Sequence, residues 1–284
     1  MRVAQYEDRY FNSVDGLRLH YRDYAGPADL PPILCLPGLT RNARDFEPVA
    51  DRLAGEWRVI CLEFRGRGES EYDPLTYVGD VLKMLDQLGI ADAVFVGTSL
   101  GGIVTMLLAA SDDERVAGAL INDVGPEVDP RGIERIRTYV GKPVIWKSWA
   151  EATATMSERL RDVYPRWTEA QFDTFVRRTC REQPDGSIGF DYDMAIAVPF
   201  AETNESNAFD LWPLLNGLKD KPVAVLRGEL SDLLAQDVAE RMVRELGTEA
   251  ELVTVPGVGH APVLDEAEAE AALDRLLAKV RAAQ

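Results

Sequence analysis

The sequence predicts an α/β protein built on a mostly parallel sheet, and three observations predict it. Short, wholly apolar runs alternate with stretches of helical periodicity. One such run, Ala93 to Val96, leads into Gly97-Thr98-Ser99-Leu100-Gly101 and then directly into a helix-like stretch from Ile103 to Ala110. The rhythm breaks near Gly125 and resumes after Gly217. Strands buried on both faces read as continuous apolar runs, and their alternation with helices implies parallel crossovers.

Taken in order, Arg9 to Val14 and Leu17 to Tyr24 form a predicted hairpin around Asp15-Gly16, a strong turn dipeptide. Ile33 to Leu36 is a buried strand led in by Pro31-Pro32, Phe46 to Leu53 has helical spacing, and Val59 to Leu62 is a second buried strand. Tyr77 to Leu88 is an amphipathic helix stopped by Gly89. After the Ser99 turn and its helix comes a strand from Val116 to Ile121. Residues 125–217 contain no clear strand but are rich in charge and aromatics, among them Trp146, Tyr164, Phe175, Tyr192 and Phe200. Val223 to Leu226, Asp237 to Leu246, Leu252 to Val255 and Ala267 to Ala282 then read as strand, helix, strand and closing amphipathic helix. This divides the chain into a core, residues 1–124 and 218–284, and an inserted helical lid, residues 125–217. The lid is placed at the carboxyl edge of the sheet, where open α/β sheets bind ligands. Most of its aromatics are expected to form its own core.

Composition narrows the function classes. The chain has 284 residues, enough for one α/β domain with an insertion, and 46% are hydrophobic, enough for a substantial core. A formal net charge of −17 argues against nucleic acid and anionic membranes as partners, because the overall field repels phosphate. The three cysteines, Cys35, Cys61 and Cys180, are odd in number and lack metal-ligand spacing, so no metal site is expected. Buried free thiols suit a reducing compartment, and neither a signal-like segment over Met1 to Phe11 nor an apolar run of membrane-spanning length is seen. A cytoplasmic protein is the expectation, with oligomeric state open.

The Ser99 turn carries the chemistry. Glycines at 97 and 101 let strand and helix backbones approach closely and hold the hydroxyl beside a helix amino terminus. A serine nucleophile needs a base, and the base needs an orienting acid. Only two histidines are available. His20 shares a face with Arg18 and Arg22 by alternation, the solvated face of its strand. His260 follows Pro256-Gly257-Val258-Gly259, a loop after a strand that can bring an imidazole to the sheet edge. Three carboxylates compete for the acid role: Asp232 and Glu229 after the next-to-last strand, and Asp123 after the strand ending at Ile121.

The ordered pieces Leu36-Pro37-Gly38-Leu39, Arg65-Gly66-Arg67-Gly68-Glu69-Ser70, Gly97 to Gly101, Gly228 to Asp232 and Gly259-His260 together resemble the α/β-hydrolase fold family over nearly the whole chain. The resemblance implies an eight-stranded, mostly parallel sheet flanked by helices, with a lid inserted after the sixth strand. It also implies Ser99 as nucleophile, His260 as base and Asp232 as acid, with Asp123 and Glu229 as alternatives. Backbone N–H groups of Leu39 and Leu100 would form the oxyanion hole, each donor worth about 3 kcal/mol. Many relatives have His-Gly where this chain has Pro37-Gly38, which leaves the donor in place and alters the loop. Arg41, just beyond, is either a solvent-facing cation or a substrate contact. The expected activity is hydrolysis of a small, apolar carboxylic ester, lactone or thioester through an acyl-enzyme, without cofactor. Carbon–carbon bond hydrolysis or acyl transfer on the same fold is the alternative enzyme reading, and a ligand-binding receptor or pseudoenzyme the alternative of another class.

Overall fold

The computed structural model describes residues 3–66, 74–198 and 210–284. Arg67 to Ser70 of the glycine-rich run, the aromatic Phe200 and the first two residues lie outside the described residues. The chain opens with β1 (Tyr6–Asn12) and β2 (Arg18–Tyr24), an antiparallel hairpin in which Asn12 faces Arg18. Next come β3 (Ile33–Leu36), α1 (Glu47–Leu53), β4 (Val59–Leu62), α2 (Pro74–Leu88), β5 (Ala93–Thr98), α3 (Leu100–Ser111) and β6 (Val116–Asn122). The eight-stranded sheet is completed by β10 (Val223–Gly228) and β11 (Ala250–Val255), followed by α8 (Ala267–Ala282), with α7 (Gln236–Leu246) between the two strands. Its order is β1-β2-β4-β3-β5-β6-β10-β11, and only β2 runs against its neighbours.

Both faces of this sheet are covered, which is why its strands are apolar throughout. Cys35, Cys61, Val94 and Val96 face α1 and α8, whereas Leu34, Leu36, Ile60 and Phe95 face α2, α3 and α7. The three cysteines are buried free thiols, and burial raises those of Cys35 and Cys180 above the ordinary range. Among the described residues no helix is long and apolar enough to cross a membrane.

Between β6 and β10 the chain forms α4 (Pro130–Arg137), β7 (Ile145–Trp146), α5 (Trp149–Leu160), α6 (Glu169–Thr179), β8 (Cys180–Glu182) and β9 (Ile188–Phe190). The three strands form a small antiparallel sheet, β7-β9-β8, which the sequence pattern does not reveal. Strands of two or three residues are too short to display a period of two. Tyr164 stacks on Trp167 at 3.8 Å, and Phe172 and Phe175 close around the indole, so these aromatics do form an internal core. That core merges with the main one through Val258 and Val263. Three polar ties add to the packing: Asn42 Nδ2 donates to Arg178 O at 2.9 Å, Arg44 Nη2 meets Asp191 Oδ2 at 2.7 Å, and Gly259 N donates to Val163 O at 2.7 Å. The inserted segment is thereby fastened both to the loop after β3 and to the loop after β11.

Candidate active site

Chain direction changes at β3: β4 is added on one side of it and β5 on the other. Loops leaving the carboxyl ends of β3 and β5 diverge there and open a crevice. Ser99 stands at the end of β5 with φ +51, a left-handed conformation unusual for a residue with a side chain. Its amide donates to Asn122 O at 2.9 Å, and its carbonyl accepts from Gly102 N at 2.9 Å, which pins the turn between β6 and α3. The glycines are sterically required. A Cβ on Gly97 would lie 2.5 Å from Gly101 O, and one on Gly101 would lie 2.0 Å from Leu36 O. Gly101→Ala is therefore expected to destabilise the fold by about 3 kcal/mol or to prevent folding, by forcing α3 away from β3. Thermal denaturation checks this; an unchanged midpoint would mean that the close approach is dispensable.

His260 lies in the loop after β11. Its Nε2 is 3.0 Å from Ser99 Oγ and its Nδ1 is 2.8 Å from Asp123 Oδ2. Asp123 directly follows β6, is fully buried, and adopts φ +56, which aspartate tolerates better than most residues. Both of its carboxylate oxygens are engaged. Oδ1 accepts from Gly228 N at 2.9 Å, and Oδ2 accepts from Ser231 Oγ at 2.7 Å as well as facing the imidazole. Tyr164 Oη donates to Ala261 O at 2.8 Å, so the inserted segment also braces the histidine loop.

The carboxylate facing the imidazole is thus not the one the resemblance implies. Asp232 turns toward α4, where Arg135 Nη2 donates to its Oδ1 at 2.7 Å, and its side chain remains 31% exposed. Burial pushes the Asp232 carboxyl up, but the Arg135 guanidinium more than offsets this and holds it below the ordinary range. Ser231, one residue earlier, is what reaches the site, because its hydroxyl bonds Asp123 and accepts from Leu234 N at 3.1 Å. Glu229 braces the loop before the histidine, its Oε2 accepting from Gly257 N at 2.6 Å. His20 is engaged elsewhere, with Asp8 at 2.9 Å and Glu63 at 3.0 Å; the Glu63 hydrogen bond raises its pKa.

Leu39 follows Gly38, where an added Cβ would be 3.8 Å from Ser99 Cβ, so the loop after β3 lies directly beside the Ser99 turn. Leu100 opens α3, and the first amide groups of a helix have no partner within it. Arg41 is not solvent-facing. Its side chain is 13% exposed, its guanidinium lies 4.1 Å over the Phe175 ring, and its Nη1 is 3.2 Å from Asp45 Oδ1 without hydrogen-bond geometry.

Ser99, His260, Leu39 and Arg41 line one cavity of about 450 Å³, which the inserted segment covers with residues from α4, α5, α6 and β9. Its walls are largely apolar, with Ile136, Met156, Leu160 and Phe175 among the lining residues, but Arg135, Lys142 and Arg159 also reach it. No sequence signal marks these three cations, because their convergence depends on how the inserted helices pack. Among the described residues no group of three or more His, Cys, Asp or Glu side chains could hold a metal ion.

Residues 33–273 match the model of the alpha/beta hydrolase family. The chain belongs to that family. Its relatives include the 3-hydroxybutyrate-oligomer hydrolase of Cupriavidus necator, 36% identical across 86% of this chain and 87% of that protein. Another, the 2-(acetamidomethylene)succinate hydrolase of Mesorhizobium japonicum, is 26% identical across 81% of each chain. Among solved structures, an alpha/beta hydrolase from Novosphingobium aromaticivorans superposes with a TM-score of 0.91 at 50% identity, over 97% of this chain and 99% of the other. This alpha/beta hydrolase is therefore an enzyme of hydrolytic chemistry, with the eight-stranded, mostly parallel sheet of its family.

Proposed function

We propose that this alpha/beta hydrolase cleaves a small carboxylic ester through an acyl-enzyme on Ser99, with His260 as base and Asp123 as the acid that orients it. The observation that carries the reading is the hydrogen-bonded line Ser99–His260–Asp123, with spacings of 3.0 and 2.8 Å, ending in a covered cavity. His260 Nε2 accepts the Ser99 proton as Oγ attacks the acyl carbon. Asp123 accepts from Nδ1–H, which fixes the tautomer and stabilises the imidazolium that forms. Leu39 and Leu100 N–H stabilise the oxyanion, and Arg41, whose Nη1 has no hydrogen-bond acceptor, contacts a polar group of the substrate. His260 then returns the proton to the departing alcohol. Water repeats the sequence to release the acid.

Residues 125–217 act as a lid that excludes water from the acyl-enzyme, and residues 1–124 and 218–284 supply the catalytic framework. The name of the Cupriavidus necator relative, a hydrolase of an ester oligomer, supports ester cleavage. The reading expects hydrolysis of p-nitrophenyl butyrate and stoichiometric labelling of Ser99 by a fluorophosphonate. Folded protein that neither turns over the ester nor takes the label would favour a ligand-binding role instead.

A further inference from the structure

The cavity has a charge opposite to that of the molecule. The chain carries 48 acidic and 31 basic residues, yet every charged side chain lining this cavity among the described residues is basic: Arg41, Arg135, Lys142 and Arg159. Two of these already have a carboxylate neighbour. Arg135 is paired with Asp232, and Arg41 lies 3.2 Å from Asp45. Lys142, in the turn after α4, and Arg159, at the end of α5, are exposed and have no carboxylate partner among the described residues. An acidic chain that leaves two cations unpaired at one cavity concentrates positive potential there, and low-dielectric walls focus it.

We propose that the substrate carries a free carboxylate besides its scissile ester, and that Lys142 and Arg159 dock this carboxylate at the cavity mouth while the ester reaches Ser99. The inference rests on the serine-hydrolase reading above. The apolar wall formed by Met156 and Leu160 of α5 then accommodates the short carbon chain between the two groups. Arg159 offers a planar fork suited to a carboxylate, and Lys142 a flexible point charge.

Two matched pairs of esters test this. In one, the mono-p-nitrophenyl ester of glutaric acid is compared with p-nitrophenyl pentanoate, which places the charge on the acyl part. In the other, a hydroxy-acid dimer is compared with its methyl ester, which places the charge on the alcohol part. The acid of at least one pair is expected to have the higher kcat/KM. That preference should weaken as salt is raised, since exposed charges are screened. Lys142→Gln and Arg159→Gln should each reduce the acid-to-neutral ratio by about threefold to fivefold, and the double variant should bring it near one. The ratio is internal to each protein, so a general loss of folded enzyme does not imitate the effect. Equal turnover of both members of both pairs, or a preference that survives the double variant, overturns the docking role. Absence of hydrolysis of every ester overturns the serine-hydrolase reading itself.

Discussion

Ser99→Ala is expected to reduce ester turnover by about 10⁶-fold, to the level left by binding and backbone donors alone. The substitution removes the proposed attacking atom, 3.0 Å from His260 Nε2, and leaves the surrounding backbone turn in place. That turn is held by backbone hydrogen bonds from Ser99 N to Asn122 O and from Gly102 N to Ser99 O, none of which involves the hydroxyl. The variant should therefore fold with a thermal midpoint near that of the parent, and loss of activity can be assigned to chemistry. Steady-state assay of the purified variant, with fluorophosphonate labelling as a second readout, checks it. Retention of parental turnover would remove Ser99 from the mechanism.

Asp123→Asn has the second largest expected effect, a fall in kcat of about 10⁴-fold. The geometry says why an isosteric change should matter so much. Gly228 N donates to Oδ1, so the amide oxygen of asparagine must occupy that position. The NH₂ group then faces His260 Nδ1, where a carboxylate oxygen had accepted a proton. The imidazole responds by moving its proton to Nε2, where it points at Ser99 and can no longer accept from it. Asparagine tolerates the positive φ at this position, so the fold should persist. Asp232→Asn serves as the comparison. It weakens a half-exposed ion pair with Arg135 and is expected to lower kcat/KM by less than about tenfold. The two variants assayed side by side distinguish the carboxylates, and the reverse ranking would return the acid role to Asp232.

That choice marks the limit of what the chain's linear order reveals. Serine, acid, histidine is satisfied equally by Ser99, Asp123, His260 and by Ser99, Asp232, His260. Both aspartates also follow a strand at its carboxyl end. The strand that Asp123 follows, β6, adjoins β5, whereas the strand preceding Asp232, β10, lies one position farther away. A retrospective signal does exist in Asp123, an acidic residue two positions after the apolar run Val116 to Ile121. It competes with ordinary turn chemistry and does not stand out until its neighbours are known.

By itself, the sequence determined the strands and helices of the main sheet and the Ser99 turn. Runs such as Ile33–Leu36 and Val59–Leu62 are buried on both faces and admit few other readings, and the glycines around Ser99 answer to local steric demands. Only the tertiary structure decided which carboxylate meets His260, that Arg41 is tucked over Phe175, and that Arg135, Lys142 and Arg159 converge on one cavity. Local structure is written in neighbouring residues, through backbone sterics and periodic burial. The pairing of charges belongs to side chains far apart in sequence, and it is set by strand order, by which groups burial leaves needing partners, and by how separate helices pack.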